Sequence, residues 1–356
     1  MSSKAKKISL IIFVCFIFFV ILFFSIVAFN LAPKNSKDEK TIIFEINEGT
    51  GKNIIADKLE KANLIKSAFF LKAYMYFDNP TLFAGTYKLS PSMSALEILE
   101  AIENSESLEN ETLTLTFIEG KRLSTYVTQI SNNFGYSEEE IYNKLSDTEF
   151  LNSLTNKYWF ISSDILNKDI YYALEGYIYP DTYAFKKTST VEEIITKTLD
   201  NMNNKLTEYK EEIELLSLTP HKLLTLASIV ELEGANSNDR SGVAGVFYNR
   251  LDAGWTLGSD VTTYYAVKKD FSVDLTQSDL NSCNGYNTRG TCVDGLPIGP
   301  ICSSSLESIA AVINPEKHDY YYFVADKNKE TYFSKSGAEH NQTVARLKQE
   351  GLWYEY

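Results

Sequence analysis

Histidine is nearly missing from this chain of 356 residues, and that scarcity narrows the chemistry at once. The three present, His221, His318 and His340, have neither metal-ligand nor triad spacing, so they are read as structural or surface residues. No GxSxG elbow, GxxxxGK[ST] loop or GxGxxG turn occurs, which removes three common enzyme and nucleotide-binding readings. Basic residues are outnumbered, 34 against 47 acidic, for a net charge of -13. Such a surface repels phosphate backbones, so no nucleic-acid partner is expected. Cysteine is sparse as well. Cys15 lies in an apolar run, while Cys283, Cys292 and Cys302 show no CxxC pair and no following His at ligand spacing. No metal and no cofactor is expected. If this part lies outside the cell, a disulfide is allowed, and Cys283–Cys292, closing a short loop with Gly285 and Gly290, is preferred to Cys292–Cys302.

Long uncharged apolar runs are also rare; the one that stands out spans Ile8 to Phe29. It is long enough to cross a hydrocarbon core as a helix. Lys4, Lys6 and Lys7 precede it, and Lys34, Lys37 and Lys40 follow. The very short tail, residues 1–7, favours a cytoplasmic N-terminus with the remainder outside. A cleaved signal peptide is the competing reading. The run exceeds a usual signal core, and Phe29-Asn30-Leu31-Ala32-Pro33 is a poor cleavage site. What is abundant is aromatic: 23 Tyr and 21 Phe, read first as core and strand filling, second as stacking platforms for sugar rings.

After a polar linker, residues 30–40, the periodicity predicts an α+β chain. Ile42–Ile46 reads as a strand, turning at Asn47-Glu48-Gly49-Thr50 into a helix to Lys61. Leu113–Ile118 repeats that order, turning at Glu119-Gly120 into a helix from Leu123. Between them lie a helix from Ser67, a strand at 85–89 and a helix opened by the capping box Ser94…Glu97. Ser137…Glu140 and Thr190…Glu193 read the same way. Pro180-Asp181-Thr182 is a turn among aromatics. From Pro220 the chain is mainly helical to Leu251, followed by a hairpin (320–326 with 330–334) and a last helix from Glu339.

The helix over 220–233 carries the sharpest signal. Thr219 suits its N-cap, Pro220 its first turn and Gly234 the C′ position. On a helical wheel Leu223, Leu224, Leu226, Ala227 and Val230 form one apolar arc. Glu231 falls inside that arc; Glu233 falls just beyond its edge, either solvated or close enough to tune its neighbour. Burial and the negative end of the helix dipole both favour the protonated form of a carboxyl group, which a general acid requires. The bland alternative is a carboxylate held ionised by Arg240 or Arg250.

Ten short motifs in order now matter together. They include Glu48-Gly49, Ala84-Gly85-Thr86-Tyr87, Glu175-Gly176-Tyr177 through Tyr183, Ala227 through Glu231, Val246 through Leu251 and Ser259-Asp260. Tyr286-Asn287-Thr288, Gly295-Leu296-Pro297, Tyr322 through Ala325 and Glu339-His340-Asn341 continue the series. With the N-terminal run, the chain resembles the endolytic murein transglycosylase (MltG, YceG-like) family over nearly its full length. The resemblance implies a LysM-like α+β module at 41–110, a second α+β unit at 111–187 and a mixed, mainly helical catalytic domain at 188–356. It implies cleavage of peptidoglycan strands, with Glu231 as the acid/base and peptidoglycan synthases as partners. Glu175, Tyr177, Glu233, Asp260, Tyr286 and Asn287 are the candidate substrate-binding residues. A hydrolytic muramidase and a non-catalytic wall-binding scaffold are the rival functions. The chain departs from the family pattern at Pro297-Ile298, at Cys302-Ser303-Ser304, at Thr331 and in the insert 289–294. Those departures are expected to alter the edges of the cleft.

Overall fold

The computed structural model describes residues 3–38, 40–104 and 112–353, with backbone only for 3–11. The boundary expected at 110/111 therefore lies outside the described residues, as do Met1 and Ser2 of the expected tail. The chain is α+β and forms two compact units, residues 1–113 with 184–188, and residues 114–183 with 189–356.

The first unit opens with α1 (Ser3–Leu31), the one helix among the described residues that is long and apolar enough to cross a membrane. Its side chains from Ile12 to Phe24 are nearly all exposed, whereas Leu31 enters the core of the unit. Then follow β1 (Ile42–Ile46), α2 (Lys52–Lys61), α3 (Ala68–Asp78), β2 (Gly85–Leu89) and α4 (Ala95–Glu103). β1 and β2 pair antiparallel with Phe44 opposite Tyr87. One sheet face carries Phe44, Ile46, Tyr87 and Leu89 onto Leu59, Leu71, Ile98 and Ile102, as a period-two strand facing amphipathic helices demands. The Ser94–Glu97 capping box closes both of its bonds, at 3.1 and 2.7 Å.

β3 (Thr112–Thr116) pairs with β4 (Thr182–Lys186) in a second sheet. Gly49 and Gly120, the glycines of the repeated strand–Glu–Gly turn, share a left-handed backbone, φ +77° and +72°. That conformation is one a side chain rarely tolerates, so the sequence repeat is also a backbone repeat.

The second unit holds α5 (Leu123–Phe134), α6 (Glu138–Leu145), α7 (Thr148–Lys157), α8 (Val191–Thr207), α9 (Lys210–Leu215), α10 (Pro220–Glu233), α11 (Arg240–Asp252), α12 (Asp260–Ala266), α13 (Gln277–Leu280) and α14 (Leu306–Ile313). A hairpin of β5 (Tyr322–Ala325) and β6 (Thr331–Ser334) and a last helix, α15 (Gly337–Gln349), complete it. α10 is the central element. Its residues Leu223 to Glu231 are all buried, and it packs on α11, α12 and α14. The Thr219 hydroxyl accepts the Lys222 N–H, capping the helix as its sequence suggests. Gly234 behaves differently from expectation. It is extended, φ -68° and ψ 111°, not left-handed. Glycine is needed for space: a Cβ there would lie 2.8 Å from Arg240 Cγ and 3.0 Å from the Val230 carbonyl.

Candidate functional site

The end of α10 presents two carboxylates in opposite surroundings. Glu231 is sealed in. One oxygen accepts Arg240 Nη2 at 2.9 Å; the other accepts the Ser305 N–H at 2.8 Å and its hydroxyl at 2.5 Å. Arg240 also donates to the Ser305 hydroxyl, at 2.9 Å. The Gly120 turn covers the stem: a Cβ on that glycine would sit 3.9 Å from Glu231 Cγ. This is the Arg240 pairing that the sequence left open.

Glu233 faces a cavity of about 460 Å³, lined among others by Arg250, Trp255, Asp260, Arg289, Tyr322 and His340. Burial raises its pKa above 4.5 and Asp260 adds to the rise, while the Ser259 hydroxyl and the charges of Arg250 and Arg289 oppose it. The Ser259 hydroxyl donates to Glu233 at 2.6 Å. Asp260, the first residue of α12, pairs with Arg289 at 2.6 Å at the rim. Arg250 is fixed by donating to the Tyr321 carbonyl at 2.8 Å and to the Leu257 carbonyl. His340, which also lines the cavity, is pushed below 6.5 by burial and by the charge of Arg250. A half-buried carboxyl with a raised pKa, beside two fixed guanidinium groups and an open volume, can lend and recover a proton.

The other sequence candidates lie behind this wall. Glu175 is fully buried, caps α5 by accepting the Leu123 N–H at 2.8 Å, and accepts the Tyr265 hydroxyl at 3.0 Å. Burial pushes its pKa up to about 7. Tyr177 shares a 2.8 Å hydrogen bond with His221 Nδ1, and His221 Nε2 meets the Ile298 carbonyl at 2.8 Å. A carbonyl can only accept, so Nε2 carries the proton and the Tyr177 hydroxyl donates. Tyr286 is buried between Tyr171 and Tyr265, with ring centroids 4.9 and 4.8 Å away. Buried Asn287 accepts the Thr263 hydroxyl at 2.7 Å and donates to the Ser282 carbonyl at 2.8 Å. Thr288, next to it, accepts the Ser259 N–H at 3.1 Å. Thr288 thus holds Ser259 from behind Glu233, while Asn287 ties the 282–288 loop to α12 through Thr263. Of the sequence candidates, Glu233 and Asp260 line this cavity; Glu175, Tyr177, Tyr286 and Asn287 do not.

The YceG-like family profile matches residues 44–346. The chain belongs to the YceG-like family. It is 33% identical to the endolytic murein transglycosylase of Bacillus subtilis (strain 168), over 88% of this chain and 86% of that protein. It is 34% identical to the endolytic murein transglycosylase of Streptococcus pneumoniae serotype 2 (strain D39), over 89% of this chain but 60% of that longer protein. The crystal structure of a yceG-like protein from Listeria monocytogenes, 34% identical, superposes with a TM-score of 0.61 over 85% of this chain and 99% of that one.

The departures of this YceG-like chain from the family pattern fall in two kinds of place. Arg289, in the insert, reaches the rim beside Asp260. A disulfide joins Cys283 to Cys292 around it. Cys302, Ser303 and Ser304 are instead buried, with Cys302 Sγ 3.3 Å from the Ser228 carbonyl of α10. They pack the back of the helix, next to the Ser305 that bonds Glu231. Glu233 and Asp260 were candidates from the sequence; Ser259 and Trp255 were not. The signal for Ser259 was present in the Ser259-Asp260 motif. Arg289 lies in the insert 289–294 expected at the cleft edge, whereas Trp255 gave no signal, since only non-local packing places it there.

Proposed function

We propose that the chain is a lytic transglycosylase that cuts peptidoglycan strands, with Glu233 as its general acid and base. The single observation supporting this choice is that the Glu233 carboxyl, with a raised pKa, opens on the 460 Å³ cavity while both oxygens of Glu231 are already bonded. The sequence pointed to Glu231; the geometry favours the glutamate two residues on. The relatives' name, endolytic murein transglycosylase, supplies the substrate class.

The chemistry suits one carboxyl group. Protonated Glu233 delivers its proton to the oxygen joining N-acetylmuramic acid to N-acetylglucosamine, and the C1–O bond breaks. The muramyl N-acetyl group stabilises the oxocarbenium-like centre. The 6-hydroxyl then attacks C1, and its proton returns to the glutamate. A C1–O6 bond replaces the C1–O4 bond, leaving a 1,6-anhydro end without consuming water. Ordinary hydrolysis uses a second carboxyl group to handle water. Asp260 is the nearby candidate for that role, but its ion pair with Arg289 holds it as a rim carboxylate.

In the same reading α1 anchors the chain with residues 1–7 in the cytoplasm, and residues 41–110 are a LysM-like glycan-binding module. A partnership with peptidoglycan synthases rests on the family resemblance alone. The test is mass spectrometry of products from uncrosslinked strands incubated with the parent, Glu233→Gln and Glu231→Gln. Anhydromuramyl ends from the parent and a folded Glu231→Gln, but not from Glu233→Gln, are the expected result. Reducing muramic ends would make the protein a muramidase. Strands bound but left intact by the parent would make it a scaffold.

A further inference from the structure

The Glu233 cavity has a neighbour. A second cavity of about 560 Å³ is lined by Asp164, Asn167, Leu251, Asp294 and Pro297 among others, and both cavities share one wall, Trp255. Each lies within the range of about 300–1,000 Å³ typical of ligand sites. Trp255 is an unusual residue to leave on a surface, and it is 43% exposed. Its position is nevertheless fixed by the backbone. Gly254, at φ +69°, ends α11, its N–H donating to Leu251 O at 3.0 Å while the Trp255 N–H donates to Arg250 O at 2.8 Å. That pair of bonds is a Schellman motif, which usually turns the residue at the Trp255 position back onto its helix. Here the ring instead leans on Tyr321, with centroids 5.0 Å apart, and on Tyr322 at 6.1 Å. A rigid aromatic wall shared by two open volumes loses little entropy when a ligand stacks on it.

The geometry points to a second saccharide subsite, with Trp255 as a stacking platform that carries the strand from the Glu233 cavity into the neighbouring one. It rests on the transglycosylase reading and deepens it. An enzyme that cuts inside a strand must hold sugars beyond the residue it cleaves. A pyranose offers an apolar C–H face to an indole and hydroxyl edges to polar groups. Asp164, Asn167 and Asp294 provide such acceptors around an apolar floor of Leu251 and Pro297. The two carboxylates disfavour an anionic stem peptide there, so the occupant is a neutral N-acetylhexosamine of the same strand.

The test is binding of peptide-free glycan strands to full-length protein in detergent, comparing Glu233→Gln with Glu233→Gln/Trp255→Ala and Glu233→Gln/Trp255→Phe. About tenfold weaker binding for the alanine variant, largely restored by phenylalanine, is expected. Equal binding by all three overturns the subsite, as does an alanine effect confined to strands bearing stem peptides. Failure of the parent to make anhydro ends, with the binding difference intact, would sink the transglycosylase reading and leave the saccharide subsite standing.

Discussion

Glu231 and Glu233 sit in one turn of one helix, yet the molecule treats them as opposites. Around Glu231 the Gly120 turn, Arg240 and Ser305 close in, so that both oxygens are bonded. Around Glu233 the chain stands back: α12 offers one serine hydroxyl and the hairpin and α15 leave a volume. Two residues along a helix are a turn of about 200°, which is enough to move a carboxylate from a joint to a cavity. Under the proposed assignment burial alone does not mark an acid: the carboxylate paired with a fixed cation serves structure, and the one facing space is available for chemistry.

The first way to break this contrast gives the largest effect. Glu233→Gln should lower the rate of anhydro-end formation by 10²–10⁴-fold, roughly the contribution of a positioned acid/base, with the thermal midpoint nearly unchanged. An equal loss in a well-folded Glu231→Gln would reverse the assignment. Glu231→Ala should instead cost stability, about 3–5 kcal/mol, because it leaves the half-covered Arg240 charge unpaired. Denaturant unfolding would read that loss, and Glu233→Ala should lose far less in the same titration.

Much of the frame was legible beforehand because its signals are local. The three capping boxes at Ser94, Ser137 and Thr190 close as their spacing says. The apolar run forms α1, and the Gly49 and Gly120 turns share one backbone geometry. The site was less legible. A helical wheel ranks residues by their own helix, so Glu233 sat outside the arc; the groups that bond or charge its surroundings, Ser259, Asp260, Arg250 and Arg289, all come from other elements. Glu175, Tyr286 and Asn287 carried family motifs, but the motifs turn out to hold the wall together. Gly234 suits the C′ position by sequence and is an extended residue making room for Arg240.

Glu175 sharpens the comparison as a third buried carboxyl, one without a salt bridge of its own. Its pKa is about 7 folded, against 4.5 for an ordinary glutamate. Below pH 4.5 both states hold the proton. As pH rises the unfolded chain releases it first, so the stability from the folded-state proton is lost between about 4.5 and 7. Wild type should therefore lose stability relative to Glu175→Gln across that window, by up to about 3 kcal/mol. Parallel stability curves for the two proteins would show that Glu175 stays ionised.

The smallest effect is also the most specific to Glu233. The Ser259 hydroxyl donates to its carboxylate and so favours the ionised form, opposing the rise that burial causes. Ser259→Ala removes that opposition and should raise the carboxyl pKa further. Proton delivery to the leaving oxygen needs the protonated acid, so activity falls as pH rises through that pKa. The alkaline limb of the rate profile should then move to higher pH, by about one unit or less for a single hydrogen bond. A purely structural role for Ser259 would lower the rate at every pH and leave the limb where it was. A shift toward acid would mean that the titrating group is not Glu233 but one that Ser259 holds protonated.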